Sequence, residues 1–156
     1  LERTGNPDES TETARKRLDK VANRIRYAVF GDGRAVGGVA NPLTRAHGMR
    51  QATLAALGDA SGYLVICGTG AFATGSGCGP AANQLTRRAA FVLLSLGANA
   101  PAAPAPGTDE SRNVDGNGVF VSRDASSAQG GEYDDIVTWV PVNVLAGRLI
   151  AAGRLP

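Results

Sequence analysis

The sequence predicts an α+β domain: an antiparallel sheet of about four to five strands, with an N-terminal amphipathic helix before it and a short C-terminal helix after it. Three observations lead there. Helical periodicity is confined to the two ends and one Ala-rich stretch, the apolar runs between them are short, and 21 Gly and 8 Pro punctuate those runs with turns. A chain of 156 residues is expected to form one domain, residues 1–156, that removes roughly two thirds of its unfolded surface from water.

Ala14, Leu18, Val21, Ala22 and Ile25 recur at helical spacing, with Arg15, Lys16, Arg17, Asp19, Lys20 and Arg24 around the other face, and Ser10 or Thr11 can start this helix. From Arg24 to Phe30 the residues also support a strand in which Ile25, Tyr27 and Val29 share a face, so the boundary between the two stays open. Gly31-Asp-Gly33, Gly37-Gly38 and Asn41-Pro42 break order. Met49 to Leu57 makes a short helix ended by Gly58. Tyr63 to Cys67 is too short and too apolar for a surface helix and predicts a buried strand. Ala89 to Leu96 is the next strand, stopped by Gly97. Pro101, Pro104 and Pro106 make 98–107 an exposed extended loop. Val119 to Arg123 is a fourth strand and Ile136 to Val140 a fifth, ended by Pro141, which has no N–H for the ladder. Asn143 can cap a final helix over 144–152 with Leu145, Leu149 and Ile150 facing inward. Trp139 is expected in the core with Leu93 and Phe120, since aromatic residues mostly serve cores and interfaces.

A formal net charge of +2 does not demand nucleic acid or an anionic membrane as partner. No stretch approaches the ~20 consecutive apolar residues of a membrane span, and a start at Leu1 fits removal of a leader or anchor. The two cysteines, Cys67 and Cys78, bracket a loop of small residues. A disulfide there would stabilise by about 3 kcal/mol in the chain-entropy model and would imply an oxidising compartment; the alternative is two unpaired buried thiols.

Catalytic patterns are weak. His47 is the single histidine and lies in a turn-rich stretch, Ser76 lacks the first Gly of a nucleophile elbow, and the glycines over 68–79 lack the Gly-Lys-Ser/Thr ending of a phosphate loop. Asp134 and Asp135, adjacent on a strand, would point to opposite faces and not share a substrate. Asn113, Asp115 and Asn117 place oxygens at alternate positions, with Gly118 sixth and Asp124 twelfth, echoing a calcium loop in which Asn stands for the first Asp and Asp for the bidentate Glu. The same residues also suit a plain hairpin turn.

Asn23-Arg-Ile-Arg-Tyr-Ala-Val29, Phe91-Val-Leu-Leu-Ser-Leu-Gly-Ala-Asn99, Asp109-Glu-Ser-Arg-Asn113, Val119-Phe-Val121, Asp134-Asp-Ile-Val-Thr-Trp139 and the closing Ala-Gly-Arg-Leu-Pro occur in an order that resembles bacterial type IV prepilin-like proteins, which include type II secretion pseudopilins and minor pilins. The resemblance covers most of the chain from Asn23 onward. Family members begin, after leader cleavage, with a long hydrophobic helix carrying a phenylalanine at the first position and a glutamate at the fifth; nothing here matches it, so the chain resembles a head domain cut free of its anchor. The resemblance implies a non-enzymatic subunit of a type IV pilus or secretion pseudopilus, periplasmic or at the cell surface, anchored in the inner membrane by the missing helix and packed with other pilins in a filament. Some pseudopilins hold calcium in a loop near the end of the sheet, which adds to the reading of Asn113, Asp115, Asn117 and Asp124. Some minor pilins bind DNA, and Arg15, Lys16, Arg17, Lys20 and Arg24 could neutralise phosphates, although Asp8, Glu9, Glu12 and Asp19 dilute that field. A binding module of the same fold, contacting DNA or a surface ligand, is the second reading, and a small extracellular hydrolase using His47 the third.

Overall fold

The computed structural model describes residues 25–30, 35–36, 39–40, 43–48, 53–59, 63–70, 77–99 and 104–154. The predicted helix ahead of the sheet, and with it Arg15, Lys16, Arg17, Lys20 and Arg24, lies outside these residues, as do Ser76 and the segment 49–52 of the second predicted helix.

Seven strands are described: β1 (Arg26–Val29), β2 (Ala35–Val36), β3 (Val39–Ala40), β4 (Leu64–Cys67), β5 (Gln84–Ser95), β6 (Val119–Val121) and β7 (Ile136–Pro141). Among the described residues three α-helices accompany them: α1 (Leu54–Asp59), α2 (Asp109–Arg112) and α3 (Val142–Ala151). The protein is a mixed α/β fold on a five-stranded sheet, with β2 and β3 paired separately. Ala89 pairs with both Leu64 and Pro141, and Phe91 with both Val29 and Val140. A strand has only two edges, so β7 lies along one side of β5, while β1 and β4 follow one another end to end along the other. β6 adds beyond β4.

The expected antiparallel sheet is thus antiparallel in three pairings only, because β4 and β6 run parallel, Val65 beside Val119 and Cys67 beside Val121. β5 is also longer than the predicted 89–96. Its first half, Gln84 to Arg88, is polar and largely exposed, and backbone pairing with β4 holds it rather than an apolar pattern.

Alternation along β5 supplies both layers, and a register shift between Ala89 and Phe91 lets the consecutive residues Ala90 and Phe91 pack into the same one. On one side Phe30, Leu57, Tyr63, Ala90, Val142 and Ala146 form a cluster under α1 and α3. On the other, Leu64, Ile66, Ala89, Val92, Leu94, Phe120 and Val137 form the larger one. All four residues of β4 are buried, as its apolar run predicts. Ile66, with no exposed surface, stabilises by about 1.5–3 kcal/mol on the transfer scale.

Three expectations about the last segment are corrected. α3 begins directly after Pro141, which occupies the N-cap without a side-chain bond, so Asn143 is inside the helix and caps nothing. The inward row is Val142, Leu145, Ala146 and Leu149, at spacings of three and four residues, and Ile150 is 46% exposed. Trp139 is half-buried against the cluster that holds Phe120, but it stands opposite Val92; Leu93 points to the other face.

That other face is apolar and open. Tyr27, Leu93 and Thr138 sit in one cross-strand row, and on this face Tyr27 is 77% exposed, Ile25 71%, Ile136 68% and Leu93 39%. Of the described helices, α3 covers the far end of the face, around Phe91. Among the described residues no helix is long and apolar enough to cross a membrane.

Candidate functional site

α2 forms because Thr108 caps it: its hydroxyl oxygen accepts from the Ser111 N–H at 3.2 Å. The turn places Asp109 and Glu110 back to back. Asp109 accepts from the Gly70 N–H and from Arg123 Nε, and Arg123 also donates to the Gly131 carbonyl at 2.9 Å while lying 4.5 Å over the Tyr133 ring. This clamp fixes the connection between β6 and β7 at a bend where Ser126 and Tyr133 pair.

Glu110, buried on the inner side, meets Asp134 and Asp135. One carboxylate oxygen from each of the three lies within 4.8 Å of the others. The expectation that the two aspartates diverge is corrected: both precede β7, so strand alternation does not govern them. Asn99 donates to both Glu110 oxygens at 2.9 Å, and the Asp134 N–H donates to Glu110 Oε1 at 3.1 Å. The Ala98 N–H donates to Asp134 Oδ2 at 2.9 Å, and Asn113 Nδ2 to Asp135 Oδ2 at 2.8 Å. Gly97, at φ +66°, makes room for this approach, since a Cβ there would overlap the Asp134 carboxyl.

Three carboxylates this close repel one another unless a proton or a cation joins them. Asp134 Oδ1 is buried and without a hydrogen-bond partner, and all the available donors to such a cation are hard oxygens. The residues therefore fit a divalent cation. Burial, helped by the neighbouring charges of Glu110 and Asp134, pushes the Asp135 carboxyl from its ordinary 3.8 up to about 6, against the opposing Asn113 bond and Arg26 charge. Because the folded value lies above the unfolded one, the stabilising contribution is complete below about 3.8 and is lost as pH rises through about 6. In buffer containing a chelator, the midpoint of thermal unfolding should rise as pH is lowered from 7 to 5; a midpoint that falls throughout that interval would contradict this.

The sequence-predicted loop is arranged differently from a calcium loop. Asn113 is buried and turned inward; its amide accepts from the Val121 N–H at 2.7 Å and donates to the Val121 carbonyl at 3.2 Å as well as to Asp135. Asp115 accepts from the Asn117 backbone and side chain at 3.0 and 2.8 Å, and Asn117 Oδ1 accepts from the Val119 N–H at 2.7 Å, so the outer residues form the turn into β6. Asp124 is exposed on the far side of β6. Only Asn113 of the four reaches the acidic cluster.

Cys67 and Cys78 are joined by a disulfide, with Cα atoms 5.4 Å apart, and pack with Val65 and Val119. His47 is exposed in a turn at φ 59°. Sequence reasoning missed the cluster because its members are 24 and 25 positions apart, and the one local signal was the Thr108 cap followed by two acids. No family model, curated protein or solved structure matches the chain.

Proposed function

We propose that this chain is the head domain of a pilin-like filament subunit, a minor pilin or a type II secretion pseudopilin, that acts through its contours and contacts and not through turnover. The observation that carries the reading is the open apolar face of β1, β5 and β7, where Ile25, Tyr27, Leu93 and Ile136 stand exposed directly after a segment whose sequence predicts a helix with an apolar stripe. A helix running from a membrane anchor into that face would join head to filament, and the disulfide suits a life outside the reducing cytoplasm. The subunit would sit in the periplasm or at the cell surface among other pilins. A Leu18→Cys, Leu93→Cys chain, made in a background with the native cysteines intact, should form a second intramolecular disulfide under mild oxidation; absence of that bond would count against the helix lying on the face.

The acidic cluster would then serve as a structural calcium site, held by Glu110, Asp134 and Asp135 with Asn113 orienting Asp135. Its charge would relieve the carboxylate repulsion and lock α2 to the start of β7. Calcium at about 100 times its Kd should stabilise the fold by about 2.7 kcal/mol, and Asp134→Asn should remove most of that gain. No thermal shift with calcium would remove this part of the reading.

A further inference from the structure

The outer edge of β1 offers a second, unrelated opportunity. Phe30 donates its N–H to the Ala90 carbonyl at 2.8 Å, and antiparallel alternation then turns the backbone N–H and C=O of Tyr27 and Val29 away from β5. No described strand pairs with that edge. Because β1 and β4 share one side of β5, the place beside β1 lies in line with β6, where the Asn113–Gly118 turn holds back and leaves a cleft of about 190 Å³.

The chemistry of the cleft is specific. Ala28, Leu94 and Phe120 give it apolar lining, and Arg26 and Arg112 are the two cationic residues that border it. Arg112 reaches Asp115 at 3.9 Å through one terminal nitrogen and keeps about a third of its side chain exposed, 31%. A carboxylate is the group that fits a guanidinium fork.

We infer that the β1 edge and this cleft bind an extended acidic segment of a partner protein by strand addition, its backbone pairing with Tyr27 and Val29 and a carboxylate side chain lying between Arg26 and Arg112. Backbone pairing supplies the affinity and the alternate side chains, one apolar and one acidic, supply the selectivity. The inference does not depend on the filament reading.

The test is fluorescence anisotropy on the full chain with a labelled short peptide of alternating glutamate and valine, and a lysine–valine peptide as control. The acidic peptide should bind saturably and lose affinity with added salt, and the control should not bind. Arg26→Ala and Arg112→Ala should each weaken binding about tenfold or more. Tyr27→Pro, which removes an outward N–H from an edge strand where proline is tolerated, should abolish it, whereas Tyr27→Phe should not. Arg26 is exposed, so its variant stays informative even if the Arg112 variant unfolds. Absence of saturable binding by the unmodified chain, retention of binding in Tyr27→Pro, or competition by self-association of the chain through this edge would overturn the inference.

Discussion

Asn113→Ala is expected to destabilise the protein by about 3–5 kcal/mol, one of the largest effects of any single polar substitution in the chain. Asn113 pairs with both backbone groups of Val121, so its side chain closes the outer edge of β6 as a neighbouring strand would. It also supplies the hydrogen bond to buried Asp135. Alanine leaves the Val121 N–H without its acceptor and Asp135 without its donor, each costing about 1–3 kcal/mol, more for the carboxylate. The Val121 carbonyl keeps the Tyr133 hydroxyl at 2.6 Å, which limits the loss. For a chain of this size the thermal midpoint should drop by roughly 10 °C. Urea denaturation monitored by circular dichroism measures it directly, and a cost below about 1 kcal/mol would show that the edge closure contributes little. Asn113→Asp adds a negative charge beside Asp135 and should be worse at pH 7 than at pH 5, the direction set by the raised Asp135 value.

Removing the crosslink ranks next. The Cys67→Ala, Cys78→Ala double variant loses a bond that closes a segment of sequence separation 11, worth about 3 kcal/mol in the chain-entropy model. Both cysteines are buried against Val65 and Val119, so the lost side-chain volume adds to that figure. Cys67 ends β4, the strand on which both the antiparallel β5 and the parallel β6 register, so loosening it reaches the sheet at its centre. With native stability commonly 5–15 kcal/mol, the double variant should unfold well before the parent in urea, and reduction of the parent with dithiothreitol should reproduce the shift. An unchanged midpoint in both cases would mean that the sheet holds this loop without the crosslink.

Much of the fold was legible because burial writes itself into local patterns. Tyr63 to Cys67, Val119 to Arg123 and Ile136 to Val140 read as strands from short apolar runs between turn signals, and the strands found there are Leu64–Cys67, Val119–Val121, which stops where the run turns polar, and Ile136–Pro141. The polar half of β5 carried no such signal, since its pairing is made by backbone atoms that any side chain would permit. The parallel register of β4 and β6 depends on how the 113–118 turn delivers Val119, which no local pattern encodes. Ile150 was misplaced because Leu145 and Leu149 can belong to a stripe flanked on either side, and the structure extends it through Val142 and Ala146 and leaves Ile150 on the exposed flank. The Asn113 to Asn117 stretch was ambiguous because a cation loop and an Asx turn ask for the same residue types, and the inward rotation of Asn113 is decided by Val121 and Asp135, eight and 22 positions away.

The acidic cluster shows the same division between local and distant causes. Each acid had a bland local explanation, Glu110 as a first-turn residue of a capped helix and Asp134 and Asp135 as a turn before a strand. Convergence follows from the sheet, which brings the end of β5, α2 and the approach to β7 together at one end.

The role proposed for the chain is that of a building block whose open apolar face is covered within a filament. Mass spectrometry of filaments sheared and purified from the cells that produce this protein tests that most directly. Peptides of this chain are expected in the filament fraction, with Cys67 and Cys78 recovered as a disulfide-linked pair. Recovery of the chain solely outside that fraction, with both cysteines as free thiols, would contradict it.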